Sequence, residues 1–309
     1  MSNANTNPAG GGGPVRSGIV LGGGGARGLA HVGVLAVLER EGYPIDLLTG
    51  TSMGGLIAGI YGLLGTSQAI MELLDARPPG EATHMSRAPR PELYESRPFR
   101  RWLRELFDGR TFADLRWPIG VTAVDLDSGV ELAITRGPVA PAIWATTAIP
   151  GIYAPVEAGG RRLVDGGVLN PVPVDLARRM GATIALAVDV LPEADHPAAR
   201  MPAAYHQAML RKLGVMTDHI SKAFDIMLAA QRDSRLRESP PDLLITPDLR
   251  GFSTVDYTRG PEIMARGVAA AESVLPEIHR LRDRLRAAQA QNPNGHRPGA
   301  PLPLREQLG

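Results

Sequence analysis

Two glycine-rich breaks constrain this chain more than any other feature. Each separates a short apolar run from a segment of helical periodicity. The run at 18–21 ends in Gly22-Gly23-Gly24-Gly25-Ala26-Arg27-Gly28 and is followed by helical spacing over 29–40. The run at 45–49 ends in Gly50-Thr51-Ser52-Met53-Gly54 and is followed by a helical pattern over 54–64. A strand that stops at a tight turn and passes straight into a helix is the repeating unit of an α/β sheet. Further strand patterns lie at 119–125, at 130–135 beyond the Asp127-Ser128-Gly129 turn, and at 162–164, 182–190 and 243–246. A helix is expected at 174–180. The expectation is an α/β domain with a mostly parallel sheet, covered on both faces.

Two stretches break this rhythm and read as insertions or covers over the sheet. Residues 66–117 are rich in Pro and Arg and show no clear strand. Within them Phe99, Trp102, Leu103, Leu106 and Phe107 recur at helical spacing between Arg100, Arg101 and Arg104. Such a stripe either packs on a core or lies at a membrane interface. Residues 191–240 carry a long helical pattern through Tyr205, Met209, Leu213, Met216, Ile220, Ala223 and Met227. That face reads as core packing or as an adaptable lining for an apolar ligand. A late helix over 260–287 contains Pro276, which should kink or break it. Residues 1–16 and 291–309 are rich in small and polar residues and read as disordered, leaving one domain over 17–290.

The glycine loop opens a helix, where unshielded N–H groups make an anion site. Two chemical readings stay open at this point. Gly23, Gly25 and Gly28 fit a dinucleotide fingerprint, with Asp46 close to the spacing of a ribose-binding acid. The same N–H groups suit an oxyanion formed in acyl transfer. A glycine-rich turn without a ligand is the bland alternative. The second break is G-x-S-x-G in the strand-to-helix context of a nucleophile elbow, which makes Ser52 a candidate nucleophile rather than only a helix cap. A serine needs a base. Of the seven histidines, none sits in a clear loop straight after a strand; His31 reads as structural. Asp165 does end a strand pattern, and Gly166-Gly167 after it would leave its carboxylate accessible in the crevice where α/β sheets bind ligands.

Taken in order, the Gly-rich loop with Arg27, then Gly50-x-Ser52-x-Gly54, then Asp165-Gly166-Gly167 resemble the patatin-like phospholipases. Ala148-Ile149-Pro150-Gly151 before the acid and Asn170-Pro171-Val172-Pro173 after it resemble that family too. The likeness covers roughly residues 17–285 and looks closest to bacterial members related to the catalytic domain of neuropathy target esterase. It implies a three-layer α/β/α fold with a parallel-rich central sheet and helical cap insertions. It also implies a Ser–Asp dyad without histidine. Ser52 is then the nucleophile and Asp165 the general base. Gly23, Gly24 and Gly25 form the oxyanion loop, chiefly through the N–H groups of Gly24 and Gly25. Arg27 and Met53 are the candidate substrate-binding residues, Arg27 either orienting the loop or attracting a lipid phosphate.

The implied function is hydrolysis of carboxylic esters of lipids, of phospholipase A or lysophospholipase type. A short-chain carboxylesterase is the alternative within the enzyme class; outside it stand a dinucleotide-binding protein and a regulatory protein. The partner is a lipid or phospholipid substrate, with peripheral contact at the inner face of the membrane compatible with a cytoplasmic protein. No cofactor or metal is called for. The chain has no cysteine, which excludes disulfides and thiolate chemistry. A formal net charge of +1 gives no ground for nucleic acid. No run approaches the roughly 20 apolar residues of a membrane span. Nothing in the pattern specifies an oligomer.

Overall fold

The structure is a computed structural model that describes residues 15–76, 97–191 and 218–291. Its centre is a mixed, mostly parallel sheet. The strands are β1 (Ser17–Leu21), β2 (Leu47–Gly50), β3 (Ile119–Asp125), β4 (Val130–Ile134), β5 (Val156–Ala158), β6 (Arg161–Asp165), β7 (Ile184–Val188) and β8 (Leu243–Ile245). They lie in the order β5-β6-β3-β2-β1-β7-β8, with β4 paired to β3 off this line. The run β3-β2-β1-β7-β8 is parallel, whereas β4 and β6 pair antiparallel to β3 and β5 pairs antiparallel to β6. The short β5 is a strand the pattern does not announce. Only three residues long, with Val156 partly buried and the next two exposed, it has no apolar alternation to read.

The central strands alternate faces with period two. Ile19, Leu21, Leu48, Ile184, Leu186 and Val188 point into the larger apolar cluster. Against it lie α1 (Ala30–Arg40), α2 (Met53–Leu64), α8 (Gly260–Ser273) and α9 (Leu275–Gln291). Val20, Leu47, Ala185 and Ala187 point to the other face and pack with Val172, Val174 and Ala177, so α6 (Val174–Arg179) lies on that side. The alternation of large and small residues in β7, Ile-Ala-Leu-Ala-Val, thus records a thick layer on one face and a closely packed short helix on the other. Helix on sheet on helix is the layering expected.

α1 and α8 cross at a point where glycine is required on both sides. A Cβ at Gly33 would lie 2.0 Å from the Met264 carbonyl oxygen, and one at Gly267 2.0 Å from that of Ala30. The late helix is indeed broken. α8 ends at Ser273, Val274 leaves helical geometry, and Pro276 stands in the first turn of α9, where its missing N–H costs nothing.

The two covering segments resolve in different ways. Residues 66–117 hold α3 (Ser67–Ala76) and α4 (Arg97–Phe107). In α4 all five apolar positions are buried, while Arg100, Arg101 and Arg104 face outward. Phe99 stacks on Trp102 and meets Trp144 of α5 (Val139–Thr146), which meets Tyr153. Core packing is therefore what this stripe does, because the aromatic side chains already have protein partners. In the second segment Tyr205, Met209, Leu213 and Met216 lie outside the described residues. What is described is α7 (Asp218–Glu238), on which Met227 is 63% exposed rather than packed. Among the described residues no single helix is long and apolar enough to cross a membrane.

Replacing Gly33 or Gly267 by Ala should cost about 1–3 kcal/mol, since the new methyl overpacks a backbone contact. Thermal unfolding of each variant beside wild type checks this, with a fall of several degrees expected.

Candidate active site

The loops after β1 and β2 leave the sheet at the C-terminal ends of its parallel strands, beside the place where strand order reverses around β1. This is where an open α/β sheet forms its crevice. Ser52 sits between β2 and α2 with φ 54° and ψ −123°, a backbone conformation that side chains other than hydrogen adopt only under constraint. The constraint comes from its neighbours. A Cβ at Gly50 would lie 2.5 Å from the backbone of Gly54, and one at Gly54 2.0 Å from the Leu21 carbonyl oxygen. The turn is therefore folded tightly against the end of β1. It is held by the N–H of Thr51 donating to Leu21 O (3.1 Å) and by Ser52 N–H donating to Thr146 Oγ1 (2.9 Å). Thr51 Oγ1 bonds Thr122 Oγ1 (2.7 Å) and donates to Asn170 O (2.8 Å). The result is a serine 7% exposed at the tip of a rigid turn.

Asp165 is the last residue of β6. Its N–H donates to Ala148 O (2.9 Å), which gives the Ala148-Ile149-Pro150-Gly151 segment a structural task at the acid. Its carboxylate accepts the Gly167 N–H (2.7 Å). Burial raises the Asp165 carboxyl to about 6, and hydrogen bonds from the Ser52 side chain and from Gly167 hold it back from rising further. Ser52 and Asp165 thus meet, although 113 positions of sequence separate them.

The glycine loop lies directly over this pair: a Cβ at Gly23 would stand 3.3 Å from Ser52 Cβ. Its N–H groups divide into two sets. Gly22 donates to Val188 O, Gly23 to Pro171 O and Ala26 to Thr254 O, each within 2.9 Å. The N–H groups of Gly24 and Gly25 have no protein acceptor among the described residues. Gly23 thus stands beside Ser52, and its two neighbours Gly24 and Gly25 each keep a donor to offer.

Arg27 is 2% exposed, and its Nε and Nη2 both donate to Phe252 O (2.9 and 2.7 Å). Of its two expected roles this geometry favours orienting the loop, since the guanidinium is turned away from solvent. Met53 is buried, its Cγ only 2.3 Å from where a Gly28 Cβ would be, so it packs under the loop. His31 is structural: fully buried, it bonds Gly22 O through Nε2 (2.8 Å), and burial lowers it to about 4. Asp46 accepts the Ser17 N–H (2.7 Å) at the N-terminal ends of β1 and β2. It therefore lies at the opposite end of the sheet from the glycine loop, and the two cannot share one dinucleotide. Among the described residues no three His, Asp or Glu side chains converge as metal ligands would.

Sequence reasoning missed two supports. Thr146 lies just ahead of the Ala148-Ile149-Pro150-Gly151 motif and was within reach. The 252–254 segment, which brackets the glycine loop from 225 positions away, carries no local signal.

A strained serine at a strand-to-helix turn, an acid at a strand end and a glycine loop therefore meet at one place on an α/β sheet. The patatin-like phospholipase family model matches residues 19–178, just over half of the 309. The chain belongs to the patatin-like phospholipase family. It is 34% identical over 186 residues to an uncharacterized NTE family protein of Mycobacterium tuberculosis, covering 57% of this chain and 49% of that one. It is 32% identical over 183 residues to patatin-like phospholipase domain-containing protein 6 of Homo sapiens, covering 56% of this chain and 13% of that one. Lysophospholipase NTE1 of Debaryomyces hansenii is 26% identical over 281 residues, covering 84% of this chain and 18% of its own. The chain thus spans half or less of the curated relatives it matches. Among solved structures, VipD from Legionella pneumophila superposes with a TM-score of 0.43 at 14% identity, covering 84% of this chain and 67% of that one.

Burial of an ionised Asp165 has a stability consequence. Its folded value lies above its unfolded one, so the cost is fully present above pH 6, shrinks as pH falls below 6, and is gone only below the ordinary aspartate value near 3.9, where the group is neutral in both states. Asp165→Asn should therefore raise stability by up to about 3 kcal/mol at pH 7.5. Denaturant melts at pH 7.5 and pH 4 check this; a gap that does not shrink to a small fraction of its pH 7.5 size at pH 4 would contradict the assignment.

Proposed function

We propose that this chain is a serine acyl hydrolase that cleaves carboxylic esters of lipids, phospholipids or lysophospholipids, through Ser52 and Asp165. The observation that carries the reading is the juxtaposition at one point of three things. They are a strained, nearly buried serine, a buried carboxyl raised to about 6 in hydrogen-bond contact with it, and the two unclaimed N–H groups of Gly24 and Gly25. An ordinary aspartate, near 3.9, is a weak base at neutral pH. One raised towards the working pH is a better base and is still ionised above pH 6.

In the proposed cycle Asp165 takes the hydroxyl proton as Ser52 Oγ forms a bond to the ester carbonyl carbon. The carbonyl π electrons move to its oxygen, and the Gly24 and Gly25 N–H groups stabilise that oxyanion. Collapse breaks the carbon–oxygen bond to the alcohol, which leaves with the proton from Asp165. Water then gives a proton to Asp165 and attacks the acyl-serine. Collapse of the second oxyanion releases the fatty acid and returns the proton to Ser52. No step draws on a cofactor. The Arg27 bond to Phe252 O and the Ala26 bond to Thr254 O keep the loop pre-formed, so little reorganisation is needed when charge develops. The lysophospholipase name of one relative supports a lipid ester as substrate. Action in the cytoplasm, with peripheral contact at the inner face of the membrane, belongs to the same proposal; a chain without cysteine fits a reducing compartment.

The test is hydrolysis of p-nitrophenyl esters of graded acyl length and of lysophospholipid, with chelator present. Wild type should turn over the longer chains, Ser52→Ala should lose nearly all activity, and Asp165→Asn should lose about 100- to 10,000-fold in kcat. Preference for the shortest acyl chains would favour a carboxylesterase. Equal inertness of all three proteins would remove the reading.

Because Asp165 must be ionised to accept a proton, kcat/KM should fall about tenfold per pH unit below 6 and level off above it. A pH profile that stays flat down to pH 4.5 would show that another group is the base.

A further inference from the structure

Outside the reacting groups, two arginines of α7 occupy unusual places. Arg232 and Arg235 are three residues apart and so share a side of the helix. That side is turned inward, since Ala229 is 3% exposed and Leu236 packs against the cluster of Val20 and Val172. Arg232 Nη1 lies 3.2 Å from Asp189 Oδ2, the two side chains 11% and 4% exposed. Asp189 stands just past β7, its N–H on Ile245 O and its Oδ1 accepting the Leu191 N–H (2.9 Å). The residues flanking it form the wall of the glycine loop. Val188 O receives the Gly22 N–H, and Val190 Cγ2 lies 2.7 Å from where a Gly24 Cβ would be.

Arg235 reaches the other side of the site. Its Nε donates to Leu169 O (3.0 Å) and its Nη2 to Glu131 Oε2 (2.8 Å), while Glu131 Oε1 accepts Asn170 Nδ2 (3.1 Å). Leu169 and Asn170 close the turn that follows Asp165, both donating their N–H to Gly166 O (3.1 and 2.8 Å). One helix side therefore grips the wall of the glycine loop with one arginine and the turn behind the acid with the next.

We infer that Arg232 and Arg235 are positioning residues, and that α7 acts as a clasp setting the distance between the glycine loop and Asp165. This rests on the proposed hydrolytic reading of the site. Buried ion pairs add little net stability, because desolvation offsets their attraction. Burial raises the Asp189 carboxyl even with Arg232 beside it, which marks the pair as costly to bury. Its use is geometric: charged hydrogen bonds are short and directional, and misplacement of catalytic groups by about 1 Å costs on the order of a hundredfold in rate.

The experiment measures kcat and KM across pH 4.5–8.5 for the full chain, with Arg232→Met, Arg235→Met and Arg235→Lys. Ser52→Ala is the blank, and thermal melts run in parallel. Arg235→Met should lower kcat about tenfold or more with KM within about twofold. Its acid limb should move below pH 6, because a loosened turn admits water to Asp165. Arg235 is not among the groups acting directly on that carboxyl, so the shift reports the turn. Arg235→Lys should recover part of the rate through one remaining bond to Leu169 O. Arg232→Met should lower kcat without moving the limb, since it acts on the glycine-loop side. Folded variants that keep kcat within twofold of wild type overturn the inference, as does an Arg235→Met limb that stays put or moves upward. If Arg235→Met does not fold, Glu131→Gln takes its place, and it must show the same direction in rate and limb. Wild type that neither hydrolyses esters nor labels at Ser52 with a fluorophosphonate would sink the hydrolytic reading and the clasp with it. Active wild type with indifferent variants sinks the clasp alone.

Discussion

Four consecutive backbone carbonyls hold the site together. Asn170 O accepts the Thr51 hydroxyl, Pro171 O the Gly23 N–H, Val172 O the Val174 N–H and Pro173 O the Thr49 hydroxyl. The Ser52 turn, the glycine loop, the start of α6 and the body of β2 are thereby fastened to one short segment. Pro171 and Pro173 suit this task. Neither has an N–H to satisfy, and each fixes its own φ, so the segment presents acceptors in a set direction. Each such bond adds only about 0.5–1.5 kcal/mol, but a buried donor left without its acceptor costs more. The arrangement is consequently all-or-none: shifting the segment would strand donors on three elements at once.

The same segment follows directly from the turn behind Asp165, so the acid, the serine and the glycine loop share one support. That sharing lets a strained serine persist. The positive φ of Ser52 is unfavourable by itself and is kept because the turn is pressed against Leu21 and tied to Thr146, Thr122 and Asn170. The buried Asp165 charge is a second local cost accepted at the same place. Stability for both is drawn from the large apolar cluster between the sheet and α1, α2, α8 and α9. Site strain set against a well-packed core is the usual balance in enzymes.

Much of this was legible in the chain because the relevant signals are local. Gly50 and Gly54 around Ser52 announce a turn that only glycine permits. The Ile-Ala-Leu-Ala-Val run of β7 announces a strand buried on both faces, and Pro276 marks the break in the last helix. What escaped was either too short to show a period, as in β5, or had two physical solutions. The aromatic stripe of α4 suits a membrane surface as well as a core. Only the presence of Trp144 and Tyr153 across from it decides between them. Asp46 is the same kind of case, since its spacing from the glycines says nothing of which end of the sheet it occupies.

By itself the sequence determined the alternation of strand and helix, the two turns that need glycine, and the residue types able to act as nucleophile, base and oxyanion donors. Backbone sterics and hydrophobic periodicity act over a few residues, so they can be read from a few residues. Tertiary structure alone decided which N–H groups of the glycine loop remain free and how far burial raises Asp165. It also turned Arg27 inward to Phe252 and set two arginines of α7 against the walls of the site. Those outcomes depend on which distant groups supply an acceptor or exclude water, and a linear chain does not carry that information at any one position.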